Sequence, residues 1–341
     1  MDYIRKKTIK GNKYYYFEYP LYDIPSQKKT PFSKYIGKKI PKNIKEILKE
    51  IFEEMAQFSL KDTCQNIKKY FPFEGIKHVE ELRFWYACLC HNLFKKEFTL
   101  FQTLFYILFV LNSNRAEGSR VTRPDIEKIL KRKKIKIKTN LDKEIFNSIN
   151  AINFAFSNEM EWNVRSIKKI HKMLFHNLRS DIAGEYKTKS ILAGDDLRGQ
   201  TVTTTPPEKV SKEMRELMKW LNEQKKIKQY PPILALEFHW RFEAVHPFED
   251  GNGRVGRILL NALLIEQGFM PVIFFSQNHK TYCDAISKAR GGYNKKLAKC
   301  FVEQLRKTQI NIKKYKKIGK IQGGSKQVGL WEIRGKNIKT Y

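Results

Sequence analysis

Acidic residues are scarce in this chain: 35 Asp+Glu stand against 66 Lys+Arg in 341 residues, a formal net charge of +31. Such a balance excludes a conventional acidic surface and favours contact with polyanions. Cysteine is scarce too. Cys64, Cys88, Cys90, Cys283 and Cys300 form no C-x-x-C pair, so neither a disulfide framework nor a zinc ribbon is expected. The start, Met1-Asp2-Tyr3-Ile4-Arg5-Lys6-Lys7, lacks an apolar core segment, and no signal peptide is expected. Long hydrophobic runs are missing. The most apolar stretch, Phe98 to Leu111, is too short to span a bilayer and contains Gln102 and Thr103. It reads as a buried helix, and a reducing cytoplasm is the expected location. No internal repeat is apparent.

What is present is concentrated. His246-Pro247-Phe248-Glu249-Asp250-Gly251-Asn252-Gly253-Arg254-Val255-Gly256-Arg257 gathers residue types suited to a nucleoside triphosphate. A histidine can accept a hydroxyl proton near neutral pH. Asp250 can hold Mg²⁺, which takes one or two carboxylates plus phosphate oxygens. Gly251, Asn252 and Gly253 allow positive φ and an anion-binding nest of backbone N–H groups. Val255, Ile258, Leu259, Ala262 and Leu263 then follow helical spacing, so the nest precedes a positive helix end. Arg254 and Arg257, three apart, can both face one phosphate chain.

This segment resembles the signature of Fic-domain proteins, with every motif position filled. The resemblance implies AMP transfer from ATP to a protein hydroxyl, on a target protein or on the chain itself. His246 would be the general base, Asp250 the Mg²⁺ ligand, Gly251 to Gly253 the nest, and Arg254 and Arg257 the β- and γ-phosphate ligands. The second arginine favours nucleotidyl transfer over the kinase-like variant of the fold. Upstream, Ser113-Asn114-Arg115-Ala116-Glu117-Gly118 resembles the family's inhibitory motif, in which Glu117 would pair with Arg257 and deny it to the γ-phosphate. Gly184 to Thr205, including Lys187, resembles the flap hairpin that pins a target segment, and the resemblance implies that Ile191 and Leu192 within it contact the nucleotide. Tyr282 stands where the family places an adenine contact. Cys283 and Arg290 depart from the tyrosine and asparagine common there, so the base stays open.

The resemblance implies a mainly α fold, a helical bundle with a β-hairpin flap. Residues 113–308 would form its core and residues 42–112 a helical region before it. Several helix signals agree. Thr205-Pro206-Pro207-Glu208 reads as a start capped by Thr205, Pro231-Pro232 as a second, and Asn163 as a cap. His171, His176 and His239 read as packing or surface residues. Residues 1–41 form a small β-rich unit, with Tyr14 to Phe17 and Phe32 to Ile36 as the two strands of a hairpin. Residues 309–341 read as a basic tail, and Lys128 to Lys138 is a basic run. Two other readings remain open: removal of AMP at the same site, and a nucleic-acid-binding regulator built on this core. A homodimer is compatible with either.

Overall fold

The computed structural model describes residues 3–22, 29–59, 65–131, 137–195, 201–227 and 229–317. They fall into two compact units, one of residues 3–98 with 266–270, the other of 99–265 with 271–317.

The first unit holds β1 (Ile4–Ile9), β2 (Asn12–Tyr22), β3 (Lys29–Gly37), α1 (Ile44–Ser59), α2 (Gln65–Tyr70) and α3 (Phe73–Leu89). The sheet is antiparallel in the order β1-β2-β3. It therefore has three strands, not the two expected. Ile4–Ile9 escapes notice because four of its six residues are polar or charged. Its pairing is dictated by the turn: Lys10 and Gly11 both take positive φ, 48° and 75°, the two-residue geometry that matches strand twist. Alternation along β2 turns Phe17 and Tyr19 inward, where they are buried with Leu48, Ile51, Phe52 and Met55 of α1 and Phe84 of α3. Phe17 meets Phe52 edge-on at 5.4 Å.

The second unit contains almost all of α4 (Lys95–Ala116), then α5 (Arg123–Lys131), α6 (Asn140–Phe156) and α7 (Val164–Leu174). The hairpin β4 (Leu192–Asp195) and β5 (Thr201–Thr203) follows, then α8 (Pro207–Lys226), α9 (Pro231–Val245), α10 (Asn252–Glu266), α11 (His279–Arg290) and α12 (Asn294–Lys317). The fold is mainly helical, as the motifs imply. α4 buries Phe101 through Val110 except Thr103, and among the described residues no helix is long and apolar enough to cross a membrane. Asn163 caps α7 by accepting from Ser166 N at 2.8 Å. Thr205 does not cap α8. Its N-cap is Pro206, with no side-chain cap bond, because Pro206 in extended geometry shifts the start one residue onward. α12 runs to Lys317, so the basic tail does not begin at 309. Residues 318–341, residues 132–136 of the basic run, Cys64, and Asp196 to Gln200 of the flap lie outside the described residues.

Candidate active site

α9 ends on its most unusual residue. His246 is the C-cap, with φ 50° and ψ 61° in the left-handed region. A residue with a Cβ is strained there unless its surroundings fix it. Two bonds do so: His246 N donates to Phe242 O at 2.9 Å, and Lys187 N donates to Pro247 O at 2.9 Å. Gly184 to Lys187 thus meets the loop that follows α9, while the strands of the hairpin lie further on, at Leu192 to Thr203.

His171 organises the rest of the loop. Its ring is fully buried and stacks on Phe248 at 3.8 Å and 6°. Gly184 N donates to Nδ1 at 2.9 Å, which makes Nδ1 the acceptor and leaves Nε2–H to donate to Asp250 O at 3.0 Å. Burial lowers its pKa to about 4, which keeps that tautomer neutral. Asn252 also binds loop to helix: Oδ1 accepts from Phe248 N at 2.9 Å and Nδ2 donates to Phe248 O at 2.8 Å. Its side chain is committed to the loop, not presented to a ligand. Gly251 takes φ 77°, and a Cβ there would sit 2.6 Å from Phe175.

Beside this loop is a cavity of about 200 Å³. His246, Gly253, Arg257, Glu117 and Glu243 line it, with Tyr282, Cys283, Ile286 and Arg290 from one face of α11. Arg257 is buried. Its Nε donates to Ser113 Oγ at 3.0 Å, and one terminal nitrogen donates to Ser113 O at 3.0 Å and Glu117 Oε1 at 2.7 Å. The pairing expected from the motifs is therefore present. Burial opposes the Glu117 charge, but Arg257 outweighs it and lowers the carboxyl's pKa. Gly118 follows at φ 85°, closing the turn after α4. Gly253 leaves room for the pair, since a Cβ there would stand 2.4 Å from Glu117 Oε1.

Other expectations fare differently. Arg254 does not share the cavity with Arg257. It lies over Phe175 at 4.7 Å, 3.3 Å from Asp250 and 3.9 Å from Glu144. Three residues apart is about 300° of helix rotation, which leaves room for different partners to draw the two long side chains apart. Asp250, Ile191 and Leu192 are also outside the cavity lining, and Leu192 is exposed. Tyr282 lines the cavity with its ring, while its hydroxyl is bonded to His239 Nε2.

Glu243 was not singled out by the motifs, although it lies one turn before His246. Its Oε2 is 3.8 Å from His246 Nδ1. Burial raises its pKa to about 7, against the pull of Arg257. Burial, then Lys187 and Arg290, lower His246 to about 4. Burial lowers His239 to about 3. The three histidines stabilise the fold while neutral. That stability is present above their ordinary value of about 6.5 and is lost as pH falls toward about 4 and 3. Glu243 acts oppositely, its contribution present below 4.5 and lost as pH rises through about 7. Three groups outweigh one, so the melting midpoint should fall between pH 6.5 and 4.5. A midpoint constant across that window in a thermal melt would contradict the buried, neutral state of these rings.

The geometry meets its relatives here. Residues 161–264 match the Fic/DOC family. The chain carries a Fic domain. Among curated relatives, a probable protein adenylyltransferase of Aquifex aeolicus is 42% identical over 94 residues, 28% of either chain. The protein adenylyltransferase fic-1 of Caenorhabditis elegans is 30% identical over 132 residues, 39% of this chain and 25% of that one. Protein adenylyltransferase Fic of Nematostella vectensis is 26% identical over 193 residues, covering 55% and 44%. This chain thus spans less than half the length of these curated relatives. Solved structures share the fold. A Fic-domain signalling protein of Bacteroides thetaiotaomicron aligns with TM-score 0.57 at 21% identity, over 70% of this chain and 97% of that one. Fic-1 of C. elegans gives 0.51 at 18%, over 82% and 96%.

Proposed function

We propose that this Fic domain is a protein adenylyltransferase held back by Glu117. The observation that carries the reading is the cavity that joins His246, Gly253 and Arg257, with Glu117 seated on the arginine. At about 200 Å³ it is smaller than the roughly 300–1,000 Å³ usual for ligand sites. A triphosphate therefore competes with the Glu117 carboxylate for one guanidinium.

In the proposed reaction His246 removes the proton from a Ser, Thr or Tyr hydroxyl of a protein. The hydroxyl oxygen bonds to the α-phosphorus of ATP, the bond from that phosphorus to the bridging oxygen breaks, and pyrophosphate leaves. Asp250 fits a divalent cation carried by the nucleotide. Its carboxylate is half exposed, and among the described residues no cluster of three or more His, Cys, Asp or Glu offers a complete protein cage. Mg²⁺ there would offset phosphate charge. The free thiols Cys88, Cys90, Cys283 and Cys300 suit a reducing cytoplasm.

Incubating the chain with Mg²⁺ and each nucleoside triphosphate, then measuring intact mass, tests the reading. The expected product carries one AMP on the chain or on an added protein. A product bearing a different nucleotide would reassign the base, and phosphate alone would replace nucleotidyl transfer with kinase chemistry.

A further inference from the structure

The N-terminal sheet has a second face that the catalytic reading does not use. Because side chains alternate along each strand, the register Arg5↔Tyr16, Lys7↔Tyr14 and Tyr16↔Tyr35 puts these five residues on one side. The opposite side buries Phe17 and Tyr19. The five therefore face outward, and Tyr35 is 50% exposed. Tyr35 lies 5.4 Å from Tyr16 and 6.2 Å from Tyr14, ring centre to ring centre. Lys7 Nζ stands 4.8 Å over the Tyr16 ring and also pairs with Glu18, which holds Arg5 at 3.4 Å as well. One carboxylate thus positions two cations at the edge of a tyrosine cluster and neutralises only one of them.

We infer that this face binds single-stranded nucleic acid, with Tyr14, Tyr16 and Tyr35 stacking on bases and Arg5 and Lys7 meeting the backbone. Two observations select this occupant. Residues 3–43 carry eleven Lys+Arg and two Asp+Glu, so the surface complements a polyanion. The exposed Tyr35 ring, flanked by the half-buried Tyr14 and Tyr16, offers a π-face that only unstacked bases can reach; in a duplex the base faces are already covered. Cross-strand tyrosines can also serve a sheet alone. That role concerns stability and leaves oligonucleotide affinity untouched, which separates the two.

The test uses the full chain with fluorescein-labelled 20-nucleotide single strands of RNA and DNA and the corresponding DNA duplex, followed by anisotropy at two salt concentrations. Saturable binding that weakens with salt is expected. Joint Tyr16→Ala and Tyr35→Ala should weaken it at least about tenfold, although net charge is unchanged. Tyr16→Phe with Tyr35→Phe should bind as the parent does. Lys212→Ala with Lys219→Ala, on the exposed side of α8, should stay within about twofold. If the double alanine variant melts early, Tyr35→Ala alone replaces it. The inference is overturned if the alanine variants bind like the parent, if duplex binds as tightly as single strand, or if the lysine variant loses as much. None of these outcomes depends on AMP transfer.

Discussion

Glu117→Gly should raise transfer of label from α-labelled ATP by about 5- to 150-fold, the range expected when a coupling of 1–3 kcal/mol is removed. The size follows from where the competition occurs. Arg257 is a large, fully buried side chain, and among the described residues the carboxylate it bonds is that of Glu117, at 2.7 Å. A γ-phosphate offers the same guanidinium a tetrahedral, doubly charged acceptor with two oxygens to take its forked N–H groups, but only once the carboxylate has left. Glycine is suitable at 117 because α4 ends at Ala116 and the residue stands in the turn, so no helical turn is weakened. The variant carries a second consequence. It leaves a buried guanidinium with less compensation, a loss of about 3–5 kcal/mol for a buried pair stripped of one partner. The variant should therefore melt earlier than the parent without nucleotide and recover more than the parent does when ATP and Mg²⁺ are added. Equal labelling by parent and variant, measured with autoradiography or intact mass, would remove Glu117 from the role of brake.

The His246 to Arg257 segment was legible because its residue types are individually meaningful and adjacent. Histidine, glycine and arginine at fixed offsets keep their chemistry whatever surrounds them. The Ser113 to Gly118 motif was legible for the same reason, and the structure seats Glu117 on Arg257. Directions of long side chains were not legible. Arg254 follows Phe175 and Glu144, which are 79 and 110 positions earlier, and no spacing within the motif reveals them. Asn252 turned inward to Phe248 because a loop of this tightness needs its own backbone groups satisfied. His171 looked like a core residue and is buried like one, yet its two ring nitrogens fasten Gly184 and Asp250. Glu243 was hidden by its neighbours, since α9 is buried over most of its length and a single acid there carries no pattern. In the fold, apolar stripes located the helices, whereas β1 was masked by Arg5, Lys6 and Lys7 on strand residues that face solvent.

His246→Ala, placed in the Glu117→Gly background so that a high signal can be lost, should lower transfer by about 10²- to 10⁴-fold. Burial, Lys187 and Arg290 hold the imidazole neutral to well below pH 7, so at neutral pH it is already a proton acceptor. The same shift sets the acid limb of the free enzyme's pH profile near pH 4, below where an ordinary histidine would place it. Alanine in the left-handed conformation costs roughly 1–2 kcal/mol, a cost asparagine largely avoids. His246→Asn therefore separates lost chemistry from a strained loop: it preserves the backbone geometry, offers no comparable base, and should be as inactive as alanine. Nucleotide affinity should change by no more than about twofold in both variants, because Arg257 and Gly253, not His246, stand where the phosphates are proposed to bind. Retention of transfer within tenfold of the Glu117→Gly parent, in a folded His246→Asn protein, would mean that the target hydroxyl loses its proton elsewhere. Glu243, 3.8 Å from His246 and poised near neutrality by its burial, would then be the group to test.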